Sequence, residues 1–325
     1  MTEKSFMMAV RDAMRDEMEE DPNLFLIGED VGPYGGEHGQ TKDLWEQFGD
    51  DRVRDAPISE NAIIGCALGA AMTGSRAIAE IPFGDFLGVC MDQVYNQAAK
   101  IRYMTGGQAT VPLVIRTTMG GYMGAAQQHS QCLASWFVHT PGIKVVIPSN
   151  PADAYGLLRS ALRDGNPVMF FEHKGLYSQK GDVPDDPDFL VPLGVAKIVR
   201  EGSDCTVVAT GLQVSKAQEA AKKLADEGIE IEIIDPRTIN PLDEETILDS
   251  VKKTNHVVIV HEEWTNGGYG GEIAARIADK ALLYLDGPIK RVGAKHTPIP
   301  FSPSLENYVL PQVEDIVEAV KGTMI

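Results

Sequence analysis

Short apolar runs alternate with stretches of helical periodicity along the first half of the chain. The first helix is predicted at Lys4 to Glu19, where apolar residues recur at helical spacing until Asp21-Pro22. A second helix is predicted after residue 150, because Ser149 and Asn150 are good caps and Pro151 suits a first turn. Buried parallel strands are predicted at NLFLIGED (23–30), RAIAEI (76–81), VPLVIRT (111–117), IKVVIP (143–148) and PVMFFE (167–172).

The same alternation restarts after a stretch rich in Pro, Gly and Asp at residues 177–192, which reads as a linker. Beyond it, DCTVVAT, IEIEIID and HVVIVHE are strand-like, and VSKAQEAAKKLADEG, LDEETILDSVKKT and LPQVEDIVEAVKGTM are helix-like. Strand and helix therefore alternate in both halves, as in βαβ crossovers. We expect an α/β protein of two parallel-sheet, three-layer domains, at 1–180 and 193–325.

Composition limits the partners. With 325 residues and a formal net charge of −18, the chain would be repelled by nucleic acid and by anionic membranes. No signal peptide is recognisable, and no run approaches the roughly 18 apolar residues of a membrane span. The four cysteines are scattered without a CxxC pair and are expected to be buried thiols. A cytoplasmic protein is expected.

The common single-motif sites are missing from the sequence. There is no GxxxxGK[ST] phosphate loop, no GxGxxG after a strand, no zinc-ligand spacing and no GxSxG nucleophile elbow. The glycine cluster GGYGG (267–271) is interpreted as a turn and a helix start. Enzyme classes that one local motif identifies are therefore not supported.

One carboxylate is placed unusually. Glu60 stands at the start of a helix of small and apolar residues, SENAIIGCALGAAMTG, with Ser59 as the expected cap. Glycine at several of these positions costs helix stability, and side chains this small let another backbone pack closely. We therefore expect a deeply buried helix whose first carboxylate lies in a dry environment, with a raised pKa. The alternative is an ordinary first-turn acid that the helix dipole favours.

Several long motifs, in order, resemble the β subunit of thiamine-diphosphate-dependent 2-oxo acid dehydrogenases. They are GEDVGPYGG, ISENAIIGCALGAA, IPFGDFLGVCMDQVYNQAAKIRYMTGG, QHSQCLASWFVHTPGIKVVIPSNPADAYGLL and EIIDPRTINPLD. The resemblance covers essentially the whole chain. It implies a pyrimidine-binding domain followed by a transketolase C-terminal-like domain.

The resemblance also implies roles for four residues. Glu60 matches the glutamate that hydrogen-bonds the pyrimidine nitrogen N1′ of thiamine diphosphate and so promotes removal of the C2 proton. Phe86 matches the aromatic side chain that packs on the aminopyrimidine ring, and Glu29 matches an acidic neighbour in the same pocket. His129 matches a histidine implicated in handing the acyl group to the lipoyl arm. Each of these residues also has a plain structural interpretation, as a core aromatic, a turn acid or a structural histidine.

Metal sites and partners follow from the same resemblance. Some family members bind potassium, largely through backbone carbonyls, at positions that match Leu113, Ala161, Leu162, Asp164 and Asn166. The GDG motif that binds Mg²⁺ and diphosphate is absent from this sequence and in the family lies on a separate α subunit. The chain is therefore expected to form half a site in an α₂β₂ heterotetramer that works with a dihydrolipoyl acyltransferase core.

Three functions compete. The first is a pyruvate- or acetoin-type dehydrogenase β subunit, with DFLGVCMDQ and FFEHKGLY closest to acetoin dehydrogenases; branched-chain β subunits share most of the pattern. A part of a transketolase-like enzyme is the second, disfavoured because the chain begins with Met and a well-formed helix. A non-catalytic scaffold that keeps only the fold is the third.

Overall fold

The computed structural model describes residues 1–324, which form two compact units. Unit 1 comprises residues 1–119 and 136–193, and unit 2 comprises residues 120–135 and 194–324. The strands are β1 (Thr2–Ser5), β2 (Leu24–Gly28), β3 (Val53–Asp55), β4 (Arg76–Ile81), β5 (Leu113–Met119), β6 (Lys144–Val146), β7 (Val168–His173), β8 (Lys180–Val183), β9 (Lys197–Arg200), β10 (Cys205–Ala209), β11 (Ile231–Asp235), β12 (Thr238–Asn240), β13 (Val257–Trp264) and β14 (Lys290–Ala294).

The helices alternate with these strands. They are α1 (Phe6–Glu20), α2 (Leu44–Phe48), α3 (Glu60–Met72), α4 (Ile101–Met104), α5 (Ala134–Val138), α6 (Pro151–Leu162), α7 (Leu212–Ala225), α8 (Glu244–Thr254), α9 (Gly270–Ala281), α10 (Pro303–Val309) and α11 (Val313–Lys321). Shorter helical turns occur at Gly84–Gly88, Gln93–Ala98, Lys174–Leu176 and Leu282–Tyr284.

Unit 1 is built on a parallel sheet in which β6, β7, β5, β4, β2 and β3 are neighbours in that order. All seven residues of β5 are buried, as expected for a central strand covered on both faces. Helices α1 and α6 pack against each other, and the buried Arg159 of α6 donates from Nε to Glu17 of α1 at 2.7 Å. The predicted α/β class is confirmed for this unit.

Two predictions near the ends of unit 1 are wrong. Helix α1 begins at Phe6 rather than Lys4, because Ser5 caps it by accepting from the N–H of Met8 at 3.2 Å. The preceding residues form β1, which pairs antiparallel with β8. Part of the stretch interpreted as a linker is therefore a strand. Pro, Gly and Asp are rare in strands, so the composition of this stretch did not indicate β8. The strand forms because the distant β1 pairs with it.

A buried ion cluster joins the middle of the same sheet. Arg116 of β5 donates to Glu80 of β4 at 2.7 Å and to both carboxylate oxygens of Glu172 of β7 at 2.7 and 2.9 Å. Burial would lower the pKa of Arg116, but the two carboxylates raise it above its ordinary value. The guanidinium is 1% exposed, so it stays charged and links three adjacent strands.

Unit 2 has a five-stranded sheet in the order β14, β13, β10, β11 and β9. Its strands are parallel except β9, which pairs antiparallel with β11. Helices α7 and α11 pack against each other, and α8 packs against α9, so both faces of the sheet are covered. The two-domain, three-layer prediction is confirmed, with one antiparallel edge strand added.

The helix predicted after GGYGG is α9, and its first glycine has a packing reason. His261 of β13 is completely buried, and a Cβ added at Gly270 would lie 2.3 Å from its Nε2. The ring cannot retreat easily, because Gly268 approaches its Cε1 and the Tyr269 ring lies 4.9 Å away. Only glycine leaves room for this histidine.

Within residues 1–324, no helix is both long and apolar enough to cross a membrane.

We predict that Gly270→Ala destabilises the protein by about 1–3 kcal/mol, because the new methyl group overpacks the space beside His261. Chemical denaturation measures the change. Gly69→Ala is the matched control: it also lies in a helix, but nothing lies within 4 Å of its Cβ position, so a gain of up to about 1 kcal/mol is expected. Equal stability of Gly270→Ala and wild type would contradict the packing argument.

Candidate active site

Three of the predicted site residues come from adjacent strands of unit 1. Glu29 directly follows β2, Glu60 opens α3 after β3, and Phe86 lies in the helical turn after β4. Strands β4, β2 and β3 are parallel neighbours, so their carboxyl ends share one edge of the sheet. The fold therefore gathers these three segments where open α/β sheets place their ligands.

Glu29 and Glu60 are close enough to influence each other. Burial raises the pKa of Glu29, and the negative charge of Glu60 raises it further, while a hydrogen bond from the backbone of Ser59 opposes the rise. Atom Oε1 of Glu29 is buried and has no hydrogen-bond partner within residues 1–324. A buried acceptor without a partner is costly, and a donor from a bound molecule would remove that cost.

Glu60 itself is 8% exposed, as the sequence predicted for the acid at the start of this helix. Its charge also reaches the next segment: burial raises the pKa of the Cys90 thiol to about 12, and Glu60 contributes to the rise. Cys90 follows the turn that carries Phe86, whose ring stands nearly perpendicular to that of Phe83 at 5.6 Å. Two carboxylates and an aromatic ring therefore line the same corner of unit 1.

The predicted cap of α3 is wrong. Ser59 is the residue before the helix, but its side chain makes no cap bond and instead donates from Oγ to the carbonyl of Pro57 at 2.9 Å. The Ser59 backbone N–H is directed to Glu29. Local capping statistics failed here because this serine belongs to the polar corner around the two carboxylates.

The expected deep burial of α3 is also wrong for this chain. Ile63, Ile64 and Leu68 face the core, but Cys66 and Gly69 are exposed, and nothing within 4 Å would meet a Cβ at Gly69. The small residues thus form an open face rather than a contact inside the chain. Cys66 is accordingly not the buried thiol that was expected, whereas Cys90, Cys132 and Cys205 are buried.

His129 belongs to unit 2, in the segment 120–135. It is half-buried and lies in a loop in which Tyr122, Gly124 and Ala126 have positive φ angles. The sequence indicated a glycine-rich loop here. It did not indicate the residues that hold this loop, Glu262, Glu263 and Glu306, although the acidic end of HVVIVHEEW was a visible signal.

The proposed potassium ligands cluster at the end of α6 in unit 1. Leu113 begins β5, Ala161 and Leu162 end α6, and the following turn carries Asp164 and Asn166. The turn side chains already bind protein cations: Lys144 pairs with Asp164, and Arg102 donates to Asn166 Oδ1 at 2.7 Å. Residues 1–324 contain no group of three or more His, Cys, Asp or Glu arranged to hold a metal ion. Potassium binding here stays a prediction that depends on main-chain carbonyls.

We predict that Glu29→Gln changes the pH dependence of stability. Because the pKa of Glu29 is raised in the folded state, its contribution is fully present below its ordinary value of 4.5 and is lost as pH rises through the raised value. Glutamine stays neutral, so the stability of the variant relative to wild type should increase as pH rises above the ordinary pKa of glutamate. Denaturation midpoints across a series of pH values test it, and parallel curves would contradict the assignment.

Comparison with known proteins identifies a family for each of the two units. Residues 2–180 match the family described as transketolase, pyrimidine binding domain, and residues 194–316 match transketolase, C-terminal domain. The chain is 50% identical to the β subunit of acetoin:2,6-dichlorophenolindophenol oxidoreductase of Bacillus subtilis (strain 168), covering 95% of this chain and 94% of that protein. It is 45% identical to the mitochondrial pyruvate dehydrogenase E1 component subunit beta of Homo sapiens, covering 97% and 89%.

A solved structure supports the fold alone. A split-gene transketolase, described as an inactive β4 tetramer, superposes with a TM-score of 0.79 over 98% of each chain at 23% sequence identity.

Proposed function

Because the chain belongs to the transketolase-type family that contains the β subunits of acetoin and pyruvate dehydrogenases, we propose that it is the β subunit of such a dehydrogenase. It would act on acetoin or pyruvate, which are the substrates that its relatives' names carry. The reaction class is oxidation at an oxo group with the disulfide of a lipoyl arm as acceptor. We assign the pyrimidine-binding domain to 1–180 and the C-terminal domain to 193–325.

The observation that carries the proposal is the pair of carboxylates at the start of α3. Glu60 is nearly buried, and Glu29 beside it holds an acceptor atom without a partner. An aminopyrimidine ring offers a ring nitrogen, an exocyclic amino donor and two apolar faces. The corner therefore fits this half of thiamine diphosphate: carboxylates for the polar edge and Phe86 for a face.

Glu60 would hold a proton between one carboxylate oxygen and the pyrimidine nitrogen N1′. A nearly buried carboxyl at the start of a helix suits this task, because it is shielded from water and its backbone is held by the helix. When bound, thiamine diphosphate would supply a nucleophilic thiazolium carbon. Phe86 packs on the ring face, and Glu29 keeps the neighbouring corner polar. His129 would orient the acyl group for transfer to the lipoyl sulfur. It would also exchange a proton with that sulfur.

An α subunit is the partner that completes this site. This chain's sequence contains no GDG motif, so Mg²⁺ and the diphosphate would be held by the α subunit in an α₂β₂ heterotetramer. The open face of α3, which begins beside Glu60, supports a subunit contact, because its small residues let another backbone approach closely. We further propose a cytoplasmic complex with a dihydrolipoyl acyltransferase core.

We predict that Glu60→Gln lowers the activity of the α/β complex by at least about 100-fold, because the amide keeps the shape but cannot supply the carboxyl proton. The assay is thiamine-diphosphate-dependent reduction of an artificial electron acceptor with acetoin and with pyruvate. Glu245→Gln, at an exposed first-turn acid of α8, is the matched control and should retain wild-type activity. Full activity of Glu60→Gln in an intact complex would overturn the assignment.

The role of His129 predicts a division between two assays. His129→Ala should reduce acyl transfer to a lipoyl domain by about 100-fold, the typical loss for a proton-transferring group, and reduction of the artificial acceptor by much less. Both rates are measured on the same purified complex. Equal loss in the two assays would make His129 a residue that only positions the cofactor.

A further inference from the structure

The loop that carries His129 is fixed to unit 2 by carboxylates at both of its ends. Near its start, the backbone N–H of Gly121 donates to Glu262 at 2.7 Å, and that of Gly124 donates to Glu306 at 3.1 Å. At its end, the backbone N–H of Ser135 donates to Glu263 Oε1 at 2.8 Å, and the Ser135 hydroxyl donates to Oε2 of the same residue. His129 lies between these two sets of bonds.

The three acceptors stand on regular secondary structure. Glu262 and Glu263 are consecutive residues of β13, so their side chains project to opposite sides of the strand and can bind separate parts of the loop. Glu306 lies within α10. The three residues are only 7%, 4% and 2% exposed. Charge-assisted hydrogen bonds on such rigid, dry supports are strong and directional.

The start of the loop has a second attachment. The Tyr122 hydroxyl donates to the carbonyl of Pro311 at 2.8 Å and accepts from Gln213 Nε2 at 3.1 Å. The ammonium of Lys216 lies 3.7 Å from the centre of the Tyr122 ring. A Cβ added at Gly121 would lie 2.5 Å from a methyl carbon of Leu310, so the loop backbone is in close contact with the residue that follows α10.

Two of the carboxylates lack the partners that buried acids usually have. Within residues 1–324, no lysine, arginine or histidine forms a salt bridge with Glu263 or Glu306. Burial raises the pKa of Glu263 to about 7, and its bonds to Ser135 oppose the rise. Burying a charge without a counterion is expensive. The loop's donors compensate these acids, together with the backbone N–H of Tyr269, which donates to Glu263 Oε2 at 3.3 Å.

We propose that Glu262, Glu263 and Glu306 are positioning residues that fix the loop 120–135 at both ends, and so hold His129 in place for acyl transfer. The inference rests on the function proposed above for His129. We assign these carboxylates no contact with substrate or cofactor, because they bind the loop backbone and act through it. Loss of one of them should free one end of the loop and leave the corner around Glu60 in unit 1 unchanged.

The test uses the α/β complex with Glu306→Ala, Glu306→Gln and Glu263→Ala, and hydrogen exchange of the 120–135 segment as a readout independent of activity. Losing a charged hydrogen-bond partner should accelerate exchange in this segment by about tenfold or more for the alanine variants. Glu306→Gln keeps an acceptor oxygen and should restore most of the protection. The exposed Glu245→Ala in α8 is the control and should exchange as wild type does.

Activity then separates positioning from mere stability. Acyl transfer to a lipoyl domain should fall about tenfold in the alanine variants, while reduction of the artificial acceptor stays within about twofold, since the Glu60 corner is intact. If an alanine variant does not fold, Tyr122→Phe, which removes the bond to Pro311, should give the same division on a smaller scale.

Three results would overturn the proposal: unchanged exchange in the loop, equal loss in both assays, or faster exchange with normal acyl transfer. A wild-type complex without any thiamine-diphosphate-dependent activity would instead contradict the proposed function. The three carboxylates would then have no role in acyl transfer. Accelerated hydrogen exchange in the same variants would show only that these carboxylates hold the loop.

Discussion

The candidate site depends on one topological constraint, the parallel order of β4, β2 and β3 in unit 1. Parallel strands deliver all their carboxyl ends to one edge, so residues far apart in sequence meet there without any loop having to reach across the sheet. Glu29, Glu60 and Phe86 owe their common corner to this arrangement. The buried Arg116 cluster supports it by linking β4, β5 and β7 in a fixed register.

Each unit contains carboxylates that are removed from water. In unit 1, Glu60 is nearly buried, and its partly buried neighbour Glu29 has an acceptor oxygen without a hydrogen-bond partner within residues 1–324. In unit 2, buried carboxylates are satisfied by the backbone of the loop that carries His129. A carboxylate removed from water is costly in both units; in unit 2 the loop backbone reduces this cost, and in unit 1 we propose that the cofactor does.

The sequence predicted what periodicity controls. RAIAEI at 76–81 is strand β4 with the same limits, and Asn150 caps α6 by accepting from Asp153 N–H at 3.0 Å, as its position before Pro151 indicated. Three features escaped prediction: the pairing of β1 with the distant β8, the local hydrogen bond from the Ser59 hydroxyl to Pro57, and the open face of α3. The ion cluster could have been predicted from the sequence, because Glu80, Arg116 and Glu172 each interrupt an apolar run. The catalytic, cofactor and potassium roles came only from the family resemblance and stay predictions.

The central claim is that this chain supplies half of a thiamine diphosphate site. The most direct measurement is calorimetric binding of thiamine diphosphate and Mg²⁺ to the chain alone, and to the chain co-purified with an α-type dehydrogenase subunit. We expect no measurable binding by the chain alone and stoichiometric binding by the complex. The Glu60→Gln variant of the complex should bind the cofactor more weakly. Tight binding by the chain alone, or a stable complex that binds no cofactor, would contradict it.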